Sequence, residues 1–397
     1  MSRTLLPAAV ALALCAAAPS GHAQELRIGF LNSKTGWAAS IGRDLENGWK
    51  LGLEHLGWTK DGDKLGGVPM RVFWGDDQSG KVDIALKEVE KFLKQEKTQI
   101  VTGIIWTNVL LAIRVPVFDV KSMLLTSTAG TTAFAGEMCN PLFVSTSFVA
   151  DLGAEATGDM ANKDGIKTVV VMAPNYQGGK DYISGFTRTY KGKIVETILF
   201  KFGEADFQAD ISKIRAAKPE GLYIFAPGAM GIAFVKQWAA SGLAKEVKLI
   251  SQNTVDELSL AAIGDAAIGS THTGHWNPDL DVPKNKDFVK AYKAKFGIDP
   301  SYIAVQSYDS AAAIDRGVRE TGGKLNDMAA VARAIRKGTI ESPRGTLKFN
   351  VNGMLVQPYW RLTVVRGADG KPVIRGGEKI MERPDSHWQQ CPPNMRI

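Results

Sequence analysis

"QIVTGIIWTNVLLAI", residues 99–113, reads as a buried strand followed at once by a helix, with Thr107 and Asn108 set into an otherwise apolar run. "QIVTGII" (99–105) has the continuous apolar character of a strand covered on both faces, and "NVLLAI" carries apolar residues at helical spacing. The polar pair falls where strand gives way to helix. A Thr or Asn there has two meanings. It can cap a helix, or it can hold an anion against the unpaired N–H groups of the first helical turn.

Outward from this stretch the same unit repeats. "ELRIGFL" (25–31), "VPMRVFWG" (68–75) and "MLLTST" (123–128) read as strands, separated by helices at "GRDLENGWKLGLEHL" (42–56) and "KVDIALKEVEKFLKQ" (81–95). The pattern then restarts. Strands at "KTVVVMAP" (167–174), "KIVETILF" (193–200), "EGLYIFAP" (220–227) and "VKLISQ" (247–252) alternate with helices at 151–165, 179–190, 206–218 and 229–242. Alternation of this kind predicts parallel sheets with helices on both faces. Three more helices (285–297, 303–321, 327–337) and late strands including "GTLKFN" (345–350) and "QPYWRLTVVR" (357–366) need sheets to pack on, and each module offers one.

The predicted fold class is therefore α/β, with two doubly wound parallel-sheet lobes joined by a multi-strand hinge. Lobe 1 is assigned 24–146 with 277–350, lobe 2 is assigned 147–276 with 351–380, and 381–397 form a C-terminal tail. The default ligand site is the cleft between the lobes.

Composition excludes more than it selects. The 397 residues are 45% hydrophobic and 22% charged, and the net charge of +7 is spread along the chain without a basic block, so no nucleic-acid partner is expected. Arg3, the apolar run "LLPAAVALALCAAA" and "PSGHA" form a secretory signal peptide over 1–23, cut near Ala23, and the mature chain is expected in the periplasm. Cys15 follows Leu14, where lipoprotein processing requires a small residue. The remaining pair, Cys139 and Cys391, is even in number in an exported chain and reads as a disulfide closing about 250 residues; two unrelated buried thiols are the alternative.

Catalytic patterns are lacking. There is no Gly-x-Gly-x-x-Gly, phosphate loop or Gly-x-Ser-x-Gly elbow. His272 and His275 in "GSTHTGHW" have a spacing that points a strand's side chains to opposite faces, and Asp76–Asp77 in "WGDDQSG" read as turn or cap residues. No metal, no cofactor and no enzyme activity are expected. The loop "TSTAGTT" (126–132), including Ser127, repeats the hydroxyl-rich strand end of Thr107–Asn108. Two such loops on neighbouring strands are expected to form a carboxylate cradle.

Taken in order, "IGFLNSKTGWAASIGRDLENGWKLGLEHL", "VFWGDDQS", "VTGIIWTNVLLA", "LLTSTAGTT", "APNYQGGKD" and "IRAAKPEGLYIFAPGAMGIAFVKQWAASGL" resemble the type I periplasmic substrate-binding proteins of ABC transporters, in the leucine/isoleucine/valine-binding branch. "GRDLENGWKLGLEH", "APNYQGGKD", "CNP" and "NPDLD" are most similar to members that bind aromatic carboxylates.

The resemblance implies that Thr107, with Asn108 beside it, and the Ala129 N–H and Thr131 hydroxyl hold a ligand carboxylate. It gives Tyr176 as the second lobe's aromatic contact, although alignment by glycine puts Gly178 or Gly179 there. The family's acidic partner for a ligand ammonium falls near Asn253, which carries no charge; Asp256 lies three residues on. The family's N-terminal Tyr contact is replaced in the loop of Trp37 and Ile41. Trp37, Trp106, Phe225 and Trp276 lie at loops that can line the cleft or fill core. The implied function is a monomeric periplasmic component that captures a small carboxylate, an aromatic acid foremost, and hands it to a membrane permease. An amino-acid-binding protein of the same fold and an exported ligand sensor are the alternatives.

Overall fold

The computed structural model describes residues 24–397; the signal-peptide reading and Cys15 lie outside the described residues. Strand Ile100–Gly103 is fully buried at the middle of the first sheet, paired in parallel with Leu26–Asn32 on one side and Met123–Thr126 on the other. It ends earlier than the apolar run, because Gly103 takes φ 89° and a Cβ there would meet the Leu31 carbonyl at 2.2 Å. Ile104 then takes φ 60°, a left-handed conformation that a β-branched residue pays for with about 1–3 kcal/mol. Its N–H donates to the Leu31 carbonyl (2.9 Å) and its carbonyl accepts from Ala129 N–H (3.0 Å), which holds the turn. The turn delivers helix Thr107–Asp119 with its N-terminus at the sheet's carboxyl edge.

The first sheet has six strands in the order Lys64–Leu65, Val68–Asp76, Leu26–Asn32, Ile100–Gly103, Met123–Thr126 and Phe143–Ser145. The last of these was not anticipated: three residues are too few for a periodicity. The second sheet has seven, in the order Pro372–Glu382, Pro358–Arg366, Thr271–Gly274, Lys248–Ile250, Gly221–Ile224, Thr168–Pro174 and Lys193–Phe200. Both are parallel except at one edge, where a hairpin is added. A small antiparallel sheet, Thr339–Ser342, Gly345–Phe349 and Leu355–Val356, completes the described strands. Between the two large sheets the chain passes after Ser145, after Gly274 and before Pro358.

These crossings are tied by a buried ion pair. Arg344 reaches Asp309 at 2.7 Å, with both side chains fully buried. The same guanidinium donates to the Thr146 carbonyl (2.8 Å) and to Gln357 (2.6 Å), while Gln357 donates to the Ser147 carbonyl (3.1 Å). One side chain thus joins two of the inter-sheet passages, an arrangement that satisfies the charge through several hydrogen bonds.

Helix Tyr302–Glu320 packs on helix Ala39–His55 so closely that a Cβ at Gly48 would lie 2.0 Å from the Ala304 carbonyl. Asp44, buried at that junction, accepts from Tyr292 Oη (2.5 Å), Ser301 and the Ala304 N–H. The tail is closed by a Cys139–Cys391 disulfide, Cα atoms 5.5 Å apart. Arg383 and Ser386 bond Glu155, and His387 bonds Asp151, so the tail is also fastened to helix Ala150–Lys163.

Candidate functional site

A cavity lies between the sheets at their facing edges. From the first sheet's side it is bordered by Ile41, Ile105, Trp106, Thr107, Thr128, Ala129 and Gly130; from the second by Tyr176, Gly178, Tyr182, Phe225 and Pro227. Phe148, Ala150, Tyr302 and Ile303 close its floor. Among the described residues, no Asp, Glu, Lys, Arg or His borders it.

On the first sheet's side it is bordered by polar groups. Helix Thr107–Asp119 begins there with Trp106 as its N-cap and no side chain capping it, so its first N–H groups have neither a helical partner nor a cap. Thr107, 5% exposed, stands at that helix start. Thr128 is 7% exposed and its hydroxyl, buried, bonds no other described residue. Hydroxyls and helix-start amides make a neutral donor set suited to an anion.

The rest is aromatic. Tyr182 stacks on Phe225 with centroids 3.8 Å apart. Tyr182 Oη donates to Asn253 Oδ1 (3.1 Å), and burial pushes its phenol well above the ordinary range, so it stays protonated. Trp106 is held by its Nε1–H to Ser33 Oγ (2.9 Å).

The two sides touch across the cleft mouth. Trp37 and Trp106 pack on Phe202 at 5.2 Å each, and Tyr176 lies 4.6 Å from the same ring. Asp181, on helix Gln177–Thr189, accepts from Thr131 Oγ1 (3.3 Å), Thr132 N–H (3.4 Å) and Thr132 Oγ1 (3.3 Å) on the opposite side. Burial raises the Asp181 carboxyl above its usual range.

Several residues singled out from sequence stand elsewhere. Asn108 turns away and donates from Nδ2 to the Gly80 carbonyl (2.9 Å). Ser127 faces helix Tyr302–Glu320, its hydroxyl 2.8 Å from that of Ser310. Ala129 borders the cavity, but its N–H is bonded to Ile104. Thr131 reaches Asp181 rather than the cavity, and Trp37 sits at the mouth rather than on the wall. Trp276 is buried with its Nε1–H on Asn285 (2.7 Å) and borders a second, adjoining cavity rather than this one.

Thr128, Tyr182, Phe148 and Tyr302 were missed. For Thr128 a signal existed. The loop continues the strand's pairing through Ser127 N–H to Gly103 and Ala129 N–H to Ile104, so period-2 alternation sends Ser127 and Thr128 to opposite faces.

A second cavity shares Phe148, Ala150, Tyr182 and Tyr302 with the first. Asn253 borders this inner chamber and not the cleft cavity, with φ 45° and its Oδ1 also accepting from Gln252 (2.9 Å). Asp256, Glu257, His272 and His275 join it there. The two histidines thus border one chamber instead of opposite faces. The strand ends at Gly274, and His275 lies beyond its pleat. Among the described residues, no three His, Cys, Asp or Glu are grouped to hold a metal.

Two α/β lobes joined by several passages, with an uncharged aromatic cavity between them, define a hinged binding protein for small ligands. The chain belongs to the periplasmic binding protein family, whose model matches residues 25–371. It is similar to an R. palustris ABC-transporter solute-binding protein solved with benzoate (28% identity, 92% of this chain and 99% of that one, TM-score 0.85). A second, from Rhodopseudomonas palustris BisB5 with 3,4-dihydroxybenzoic acid, shares 29% identity over 89% of this chain and 97% of that one, TM-score 0.83. Leu/Ile/Val-binding protein homolog 6 of Brucella melitensis is 23% identical over 363 residues, 89% of this chain and 91% of the relative.

Proposed function

We propose that this chain is the periplasmic solute-binding component of an ABC importer, exported by a leader over 1–23 and acting as a monomer. It captures an aromatic carboxylate between lobes 24–146 with 277–350 and 147–276 with 351–380, and delivers it to a permease. One observation carries the ligand class: the cleft cavity pairs neutral donors on the first sheet's side with aromatic walls and has no acid on its lining. A carboxylate is anchored by Thr107, Thr128 and the first amides of helix Thr107–Asp119, and its ring lies against Phe225 and Tyr182. An amino-acid ammonium would be left in this cavity without an opposite charge, which is costly. The benzoate and dihydroxybenzoate complexes of the similar proteins support the same class.

Asp256 and Glu257 in the adjoining chamber favour one alternative, an amino acid whose ammonium reaches them. A thermal-shift panel on protein stripped of ligand by unfolding and refolding separates the two. Benzoate at 100 times its dissociation constant adds about 2.7 kcal/mol of stability. Stabilisation by benzoate and hydroxybenzoates, with none from leucine or valine, is expected; the reverse result would replace this reading with the amino-acid one.

A further inference from the structure

The inner chamber differs in kind from the cleft cavity it adjoins. Where the cleft is bordered by Ile41, Trp106, Phe225 and similar residues, the chamber presents Gln252, Asn253, Glu257 and His272. Three of its bordering residues carry a buried polar atom with no partner among the described residues, Glu257 Oε2, His272 Nδ1 and Tyr359 Oη, and His272 is only 5% exposed. Buried polar atoms in native proteins are nearly always bonded, so three left open on residues bordering one chamber mark a place for a guest that hydrogen-bonds.

The other groups narrow the guest's chemistry. Asn253 Oδ1 is taken by Tyr182 and Gln252, and Asp256 Oδ1 by the Ser259 N–H (2.9 Å). Burial and the neighbouring Asp256 push the Glu257 carboxyl up to about 8, and burial pushes His272 down to about 4. At neutral pH Glu257 and His272 are an uncharged carboxyl and an uncharged imidazole, and each open atom donates or accepts one hydrogen bond according to where its group carries the proton. A hydroxyl matches this pair; a second carboxylate would be placed near Asp256.

We propose that the inner chamber is the specificity subsite, taking a hydroxyl at the end of the aromatic acid remote from its carboxylate, with Glu257 and His272 as the residues that bond it. This rests on the reading of the cleft as an aromatic-carboxylate site.

Calorimetric titration of stripped protein with two pairs, benzoate against 4-hydroxybenzoate and cinnamate against 4-hydroxycinnamate, tests it at two ligand lengths. In the wild type at least one hydroxylated acid binds roughly tenfold tighter than its parent. Glu257→Leu brings that ratio to about one while the parent acid's affinity holds within about twofold, and the hydrogen-bonding Glu257→Gln keeps the preference. If Glu257→Leu does not fold, His272→Phe carries the same comparison. A wild-type ratio near one for both pairs, or a ratio that survives Glu257→Leu and His272→Phe, overturns the subsite and leaves the cleft reading standing. Failure of all four acids to bind overturns both.

Discussion

Thr128→Val separates binding from stability at the proposed anchor. The Thr128 hydroxyl is buried and bonds no other described residue, while its carbonyl accepts from Ser147 Oγ (2.6 Å) and does not depend on the side chain. Valine keeps the shape and removes only the hydroxyl. In the ligand-free protein that removal relieves a buried polar group rather than breaking a bond, so the melting temperature should stay level or rise, worth at most about 1 kcal/mol. In the complex the hydroxyl bonds a charged oxygen, an interaction of about 1.5–3 kcal/mol, so affinity should fall roughly 10- to 150-fold. Calorimetric titration with benzoate gives the affinity, and a thermal melt without ligand gives the stability. A loss of affinity below about threefold, or a fall in melting temperature as large as the binding loss implies, would refute the anchor.

Asp181→Ala removes the contacts to Thr131 and Thr132 across the cleft mouth, which form only when the lobes meet. It should weaken ligand binding roughly 3- to 10-fold through the closing equilibrium, measured by titration, with the ligand-free melting point nearly unchanged. Glu257 supplies a pH signature. Its folded carboxyl is raised from the ordinary 4.5 to about 8, so between those values the folded chain keeps a proton that the unfolded chain has released, and stability falls as pH rises through that window. Glu257→Gln should therefore melt higher than the wild type at pH 8, with the gain gone by about pH 4, as followed by thermal melts across the range. Reducing the Cys139–Cys391 bridge, which spans 252 residues, should cost up to about 5.5 kcal/mol on the chain-entropy account. The loss will be smaller if Arg383, Ser386 and His387 still fasten the tail to helix Ala150–Lys163; melts with and without reductant measure it.

Fold class was legible because burial on both faces writes continuous apolar strands, as at Ile100–Gly103 and Thr168–Pro174, between amphipathic helices. Phe143–Ser145 escaped notice at three residues, too short to show a period. Site residues were harder to place, because a polar residue at a strand end can face either way. Thr107 and Asn108 are neighbours on one helical turn, yet the first borders the cavity and the second bonds Gly80. The left-handed turn at Ile104 aims that helix start, and no preference of isoleucine announces it. The resemblance put the family's ammonium partner near Asn253 and Asp256, and both border the inner chamber; the division of the site into an apolar cleft and a polar chamber falls at Tyr182 and Tyr302, which border both and are far apart in sequence.

The most direct test is a crystal structure of the stripped protein soaked or co-crystallised with 4-hydroxybenzoate. Closed lobes are expected, with the carboxylate oxygens about 2.6–3.2 Å from the Thr107 and Thr128 hydroxyls and the ring against Phe225. A carboxylate seated in the inner chamber beside His272, or a ligand bound outside the cleft, would contradict it.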